Sequence, residues 1–194
     1  SEAKEMRELS LHILDIAHNS LAAGADEIRI EILEARQENL FLFSIEDNGK
    51  GMDAETAARV TDPFYTTRTT RSVGLGLPML KTRAESCGGG LTIRSEVGKG
   101  TKVTATYEYD HIDRQPLGDM ARTMLSLILA NESVRFIYSH QVREAGETRA
   151  FRFDTAEMRE ILEDMPFSDP AVYGWLQEFL REGESALGGE DFCG

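Results

Sequence analysis

Along residues 9 to 23 (LSLHILDIAHNSLAA) apolar side chains recur every three or four positions. Ile13, Leu14, Ala17 and Leu21 share one stripe, which predicts a helix. Asp15 and Asn19 lie four apart on a second stripe of the same helix, one above the other. The period then changes to two. Ile28, Ile30 and Ile32 alternate with polar residues between Glu27 and Glu34, and Leu40 to Ile45 is apolar, so the pair predicts a hairpin around the polar loop at Arg36 to Asn39. The second strand runs straight into EDNGKGM, whose glycines mark a turn where backbone bends tightly or approaches something closely.

Asp53 suits the N-cap of a short helix ending near Val60, and Asp62-Pro63 closes it. The stretch FYTTRTTRSV, residues 64 to 73, has neither period and reads as a polar loop. A helix then opens at the glycines of VGLGLPML and runs to Cys87, where Gly88, Gly89 and Gly90 stop it. Two strands follow, Leu91 to Ser95 and Thr101 to Tyr109, joined by VGKG. After Asp110 the pattern starts afresh: helix from Leu117 to Ala130, strands from Val134 to His140 and Arg149 to Phe153, helices from Thr155 to Asp164 and Pro170 to Leu180, then a frayed end. This divides the chain into residues 1–110 and 111–194, the second a small α/β appendage.

Charge and composition narrow the function. With 194 residues and 41% hydrophobic content the chain can bury an ordinary core. Its formal charge of −13 opposes general nucleic-acid binding, which needs a basic face. Lys and Arg number 13 against 18 Asp and Glu through Asp110, and 8 against 16 after it, so the C-terminal region is the more acidic. No run approaches the ~18 apolar residues of a membrane span, and the N-terminal SEAKEMRELS is charged where a secretory signal would be apolar. The expectation is a cytoplasmic protein without membrane contact. Cys87 and Cys193 lie far apart and read as plain thiols, with neither zinc nor disulfide spacing.

Taken singly, the candidate motifs carry little. Gly74, Leu75 and Gly76 open a helix, where bare amides and the helix terminus can hold phosphate, yet a flexible loop looks the same. There is no GxxxxGK[ST] and no third glycine of a dinucleotide fingerprint. Asp47 in Asp-Asn-Gly-Lys-Gly lacks the acidic alternation of a calcium loop and by itself reads as an Asx turn. Asn19 alone reads as a helix residue with a local hydrogen bond. His12 and His18 on the first helix read as packing or surface residues, and His111 and His140 have no metal spacing.

Order and spacing carry more. A helix with carboxylate and Asn four apart, a strand ending in Asp-x-Gly-x-Gly, a Phe-bearing polar lid, a glycine loop opening a helix and a hairpin ending in Gly-Thr together resemble the Bergerat ATP-binding fold. Histidine kinases, gyrase-type topoisomerases, mismatch-repair ATPases and anti-sigma-factor kinases share it. The resemblance covers roughly residues 9 to 109. DIAHNSLAAGADEIRI is similar to the N box of mismatch-repair ATPases, whereas DPFYTTR, VGLGLPMLK and GGGLTIRSEVGKGTKVTATY look like a sensor histidine kinase.

The resemblance implies a two-layer α/β sandwich with a mixed sheet, and ATP and Mg²⁺ as ligands. It implies that Asn19 binds the Mg²⁺ bridging the phosphates and that Asp47 accepts a hydrogen bond from the adenine amine. Gly49 and Gly51 belong to the same turn, and Gly51 and Thr101 would complete the base pocket. Gly74, Leu75 and Gly76 would hold phosphate oxygens, and Arg68 would reach the terminal phosphate. At the general-base position of the ATPases this chain has Asp15 in place of Glu, one methylene shorter. The short stretch before the N box, nine or so residues, is expected not to supply a dimerisation helix with a phosphoacceptor His. The expected function is a Mg²⁺-dependent kinase acting on a separate protein partner, or an ATPase; the alternatives are a nucleotide-gated binding module without turnover and a structural protein that has lost nucleotide binding. Residues 111–194 match no motif, and their stripe of Met120, Met124, Leu125, Leu127 and Ile128 reads as core or a homodimer interface, with partner recognition as the sharper alternative.

Overall fold

A computed structural model describes residues 8–62, 64, 76–163 and 165–188. Twelve elements follow in chain order: α1 (Leu9–Ala22), β1 (Glu27–Ala35), β2 (Leu40–Asp47), α2 (Ala54–Arg59), α3 (Gly76–Ser86), β3 (Gly90–Glu96), β4 (Gly100–Glu108), α4 (Met120–Ala130), β5 (Arg135–Glu144), β6 (Glu147–Asp154), α5 (Thr155–Ile161) and α6 (Pro170–Ser185). The six strands form one mixed sheet in the order β3-β4-β2-β1-β5-β6. Neighbours run antiparallel except β1 and β5, which are parallel from Glu27 opposite Arg135 to Ala35 opposite Arg143.

The alternation in the sequence decides which face is covered. Ile28, Ile30 and Ile32 of β1, Phe41, Phe43 and Ile45 of β2, and Val103, Ala105 and Tyr107 of β4 are all buried in one core with Leu9, Ile13, Ile16 and Ala17 of α1 and Leu77, Leu80 and Ala84 of α3. The intervening residues, such as Arg29, Glu31, Glu46 and Lys102, lie on the other face, where Lys102 pairs with Glu46 at 3.0 Å. This is the two-layer sandwich with a mixed sheet that the resemblance implied. Asp53 caps α2 as its position suggested, accepting from the Thr56 amide at 2.7 Å.

The region after Asp110 extends this sheet. β5 adds to β1, and Met120, Met124, Leu127 and Ile128 of α4 join the same core, packed against α1 and α6. Several local readings shift: α5 stops at Ile161, and α6 runs on to Ser185 with Leu187 buried just beyond it. The hairpin β5–β6 continues through Glu144 and Glu147 around a two-residue turn at Ala145 (φ 52°) and Gly146 (φ 82°), the positive-φ pair of a type I′ turn. Its QVREAGET sequence is charged because the hairpin tip projects into water, which hides the strand alternation. α4 starts at Met120, capped by Asp119, three residues later than Leu117, because Gly118 turns the chain at φ 84°.

At the end of the sheet where β1 finishes, a polar cluster is closed inside the protein. His140 on β5 contacts Glu184 of α6 through Nδ1 at 2.8 Å and Glu34 of β1 through Nε2 at 3.1 Å, and Tyr138 donates to Glu184 at 2.7 Å.

Candidate functional site

The opposite end of the sheet, where β1 begins and β2 ends, holds the residues singled out by spacing. α1 buries Ile13, Ile16 and Ala17, which leaves Asp15 and Asn19 half-buried beside the covered stripe. Burial pushes the Asp15 carboxyl above its ordinary value, and His18 partly offsets this. The first residue of α3, Gly76, lies against Asp15 so closely that a Cβ there would overlap the carboxylate. The tertiary structure thus brings Gly76 to Asp15 from 61 positions away in the chain.

Asp47 ends β2 with its carboxylate fixed from three sides. Ser20 of α1 donates to Oδ2 at 2.5 Å, and the backbone amides of Gly49 and Thr101 donate to Oδ1 at 2.9 and 3.3 Å. A carboxylate offers about four acceptor positions, and these three bonds leave capacity for one further N–H from a ligand. Gly51 adopts φ 67°, and a Cβ on it would overlap the Glu96 carbonyl, while a Cβ on Gly100 would overlap that of Asp47. Only glycine lets the turn and the β3–β4 hairpin pass this close.

The turn after Asp47 is clamped on both flanks. Lys50 N donates to the Ala23 carbonyl at the end of α1 at 2.9 Å, and Gly98 N donates to the Lys50 carbonyl at 2.8 Å. Asn48 accepts from the amides of Asp26 and Glu27, both at 3.0 Å, and donates to the Asp26 carboxylate at 2.6 Å. Ser95 accepts from Met52 N at 2.8 Å and shares a hydrogen bond with the Thr101 hydroxyl at 2.8 Å.

Asp47, Gly49, Gly51 and Thr101 therefore meet in one place, and Asp15 and Gly76 in another, with α1 running between them through Asn19 and Ser20. Arg68, Gly74 and Leu75 lie outside the described residues. Sequence reasoning missed Ser20, Asn48 and Ser95. Ser20 had a usable signal: it is a polar residue four after Ile16 and three after Ala17, on the buried stripe of an amphipathic helix, where a hydroxyl needs a partner. Asn48 and Ser95 had none, because their partners come from segments distant in the chain.

Among the described residues no group of three or more His, Cys, Asp or Glu is arranged to hold a metal ion. No described helix is long and apolar enough to cross a membrane. Residues 3–111 match the family described as histidine kinase-, DNA gyrase B-, and HSP90-like ATPase. Sensor protein kinase FleS of Pseudomonas aeruginosa is 43% identical over 94 residues, 47% of this chain and 23% of that protein. A putative sensor protein of Shewanella frigidimarina is 33% identical over 103 residues, 53% of this chain and 15% of that one. The chain thus spans a quarter or less of the length of these relatives. The crystal structure of the N-terminal domain of a DNA repair protein, 14% identical, matches with a TM-score of 0.51 over 96% of this chain and 58% of its own, a likeness of fold alone. The chain belongs to the histidine kinase-, DNA gyrase B- and HSP90-like ATPase family, and residues 3–111 are its ATP-binding domain.

Proposed function

We propose that this protein binds ATP with Mg²⁺ and transfers the terminal phosphate to a separate protein partner, or to water. The observation that carries the reading is the pairing of two differently prepared carboxylates, Asp15 on α1 and Asp47 held against its Ser20. Asp47 is held by three donors with one acceptor position left, which suits the adenine amine, and Gly49, Gly51 and Thr101 shape the base pocket around it. Asp15 is half-buried, has its pKa raised, and faces the amino end of α3, where phosphate would sit. A carboxylate raised in this way is a better proton acceptor for the attacking hydroxyl or water.

Asn19, one turn beyond Asp15, supplies a neutral hard oxygen. Mg²⁺ sites in nucleotide enzymes use one or two protein oxygens, with phosphates and water completing the shell, so a lone Asn fits a nucleotide-borne metal. Held through Asn19, Mg²⁺ would offset the charge on the phosphates. Gly74, Leu75 and Gly76 are assigned to the phosphate oxygens, and Arg68 to the terminal phosphate, on the sequence pattern. The kinase reading draws on the sensor kinase relative named above.

Labelled ATP and Mg²⁺ are incubated with the protein and candidate partner proteins, and phosphate is followed into water, this chain and the partner. Asp15→Asn is expected to leave ATP affinity within a few-fold and to lower turnover by roughly 10² to 10⁴, the range for loss of a general base. Negligible turnover in both proteins, with ATP still bound, would instead make this a nucleotide-gated binding module.

A further inference from the structure

α1 carries both Asp15 and Asn19, and its two ends are held by different parts of the chain. Its carboxyl end is pinned inside the site, by Ser20 on Asp47 and by Lys50 N on the Ala23 carbonyl. Its amino end has no side-chain cap: the Glu8 carboxylate accepts from the Ser10 hydroxyl at 3.4 Å and from no backbone amide of the first turn. The amides of Leu9 and Ser10 donate instead to the carbonyls of Pro116 and Leu117, at 2.9 and 2.7 Å. These are donors that a helix cannot satisfy internally, here satisfied by a segment more than 100 residues downstream.

A side-chain contact reinforces the backbone pair. His12 is buried, and its Nε2 lies 3.2 Å from Gln115 Oε1. An amide oxygen only accepts, so the ring holds its proton on Nε2 and donates it. Burial keeps the His12 pKa below its ordinary value, so the ring is neutral at pH 7. The chain at Gly118 passes so close to Glu8 and Ser10 that a Cβ there would overlap both side chains. Directly after it, α4 packs on α1. All of these contacts come from residues beyond 111, where the family match ends.

We infer that residues 115–117 are a brace that sets the axial position of α1, and that Gln115 is a positioning residue for Asp15 in the nucleotide site. Asp15 lies three residues beyond His12, about 4.5 Å along the helix, and nearer the braced end than Ser20 is. Loosening the brace moves Asp15 against Gly76, while the Ser20–Asp47 contact stays pinned by the turn. The C-terminal region thereby acts on the phosphate side of the site and leaves the base side alone. The inference rests on the nucleotide reading above.

The test uses the full chain and two variants, Gln115→Leu, which removes the acceptor, and Gln115→Glu, which keeps one. Mg-ATP is titrated by calorimetry, turnover is followed with labelled ATP, and hydrogen exchange is followed over residues 9–16 and 40–47. Gln115→Leu is expected to lower turnover about five- to tenfold, the worth of one hydrogen bond, while Mg-ATP affinity stays within a few-fold, as for Asp15→Asn. Exchange over 9–16 rises, exchange over 40–47 does not, and Gln115→Glu restores turnover. Unchanged turnover, or a loss of affinity as large as the loss of turnover, overturns the positioning role. Wild-type protein that binds Mg-ATP without turnover, or does not bind it, overturns the phosphoryl-transfer reading itself. The brace is then judged by exchange alone, and equal protection of 9–16 in wild type and Gln115→Leu overturns it.

Discussion

The two ends of the sheet each hold a buried or half-buried carboxylate cluster, and they are built to opposite ends. Around Asp47 every protein partner is a neutral donor, the cluster is half-open, and one acceptor position remains. Around His140 the partners are charged, the ring is only 2% exposed, and both nitrogens face carboxylates. Only the doubly protonated ring can donate to both. Burial opposes that charge, but the hydrogen bonds to Glu184 and Glu34 outweigh it and push His140 up to about 9. Burial likewise opposes the charge on Glu34, and the bond and charge of His140 together with Arg36 and the Tyr109 hydroxyl outweigh it, holding Glu34 below its ordinary value. An open cluster that keeps an acceptor to spare can take a ligand. A closed one with every partner supplied can only hold the protein together, here tying α6 and β5 to β1.

The comparison breaks most visibly at His140. His140→Leu strips Glu184 and Glu34 of the ring between them, with Arg36 at 3.7 Å and the Tyr109 hydroxyl at 3.3 Å remaining on Glu34, and a one-sided deletion of this kind costs about 3 to 5 kcal/mol. Chemical denaturation should show that loss, while ATP affinity of the folded variant stays near wild type. The same cluster predicts a pH dependence. The folded pKa of about 9 exceeds the ordinary 6.5, so the stabilisation from His140 is complete below about pH 6.5 and is lost as pH rises through about 9. The fall amounts to roughly 3 kcal/mol. His140→Leu should abolish this alkaline decline and gain stability on acidification, since the stranded carboxylates then take up protons. A wild-type stability profile that is flat from pH 7 to 9.5, about that interval in which the ring titrates, would show that His140 is neutral in the fold.

Smaller effects belong to the open end. Asp47→Asn should weaken ATP by about 1.5 to 3 kcal/mol, one to two orders of magnitude, because an amide replaces the ionised acceptor. Its stability cost should be less than that of His140→Leu, since water reaches the site and can replace a lost partner. Calorimetry with ATP, set beside a denaturation curve of the same variant, separates the two. Ser20→Ala is the mildest, at about 1 kcal/mol in ATP affinity, through a carboxylate that is less firmly aimed. An Asp47→Asn protein binding ATP as tightly as wild type would remove Asp47 from the base pocket.

Much of the first 110 residues was legible from periodicity because each element there declares itself locally. The stripe of α1, the alternation of β1, the cap at Asp53 and the glycines around Asp47 all depend on neighbours within a few positions. The hairpin tip of β5–β6 was not legible, since its charged residues follow solvent exposure at the edge of the sheet more than strand alternation. Ser20 was half legible, as a hydroxyl on a buried stripe. Gln115 was not legible at all, because its partner His12 lies 103 positions away.

Local chemistry in the sequence by itself determined most of the elements and the covered face of the sheet, because side-chain period and backbone preference act over one or two turns of chain, and the order of its motifs supplied the candidates for a nucleotide site. Only the tertiary structure decided that β5 pairs in parallel with β1, that Gly76 meets Asp15, and that Glu34, His140 and Glu184 share charge in the interior. These contacts join segments 40 or more residues apart. Their energy comes from excluding water around groups that each look ordinary alone, and that exclusion exists only once the layers have closed.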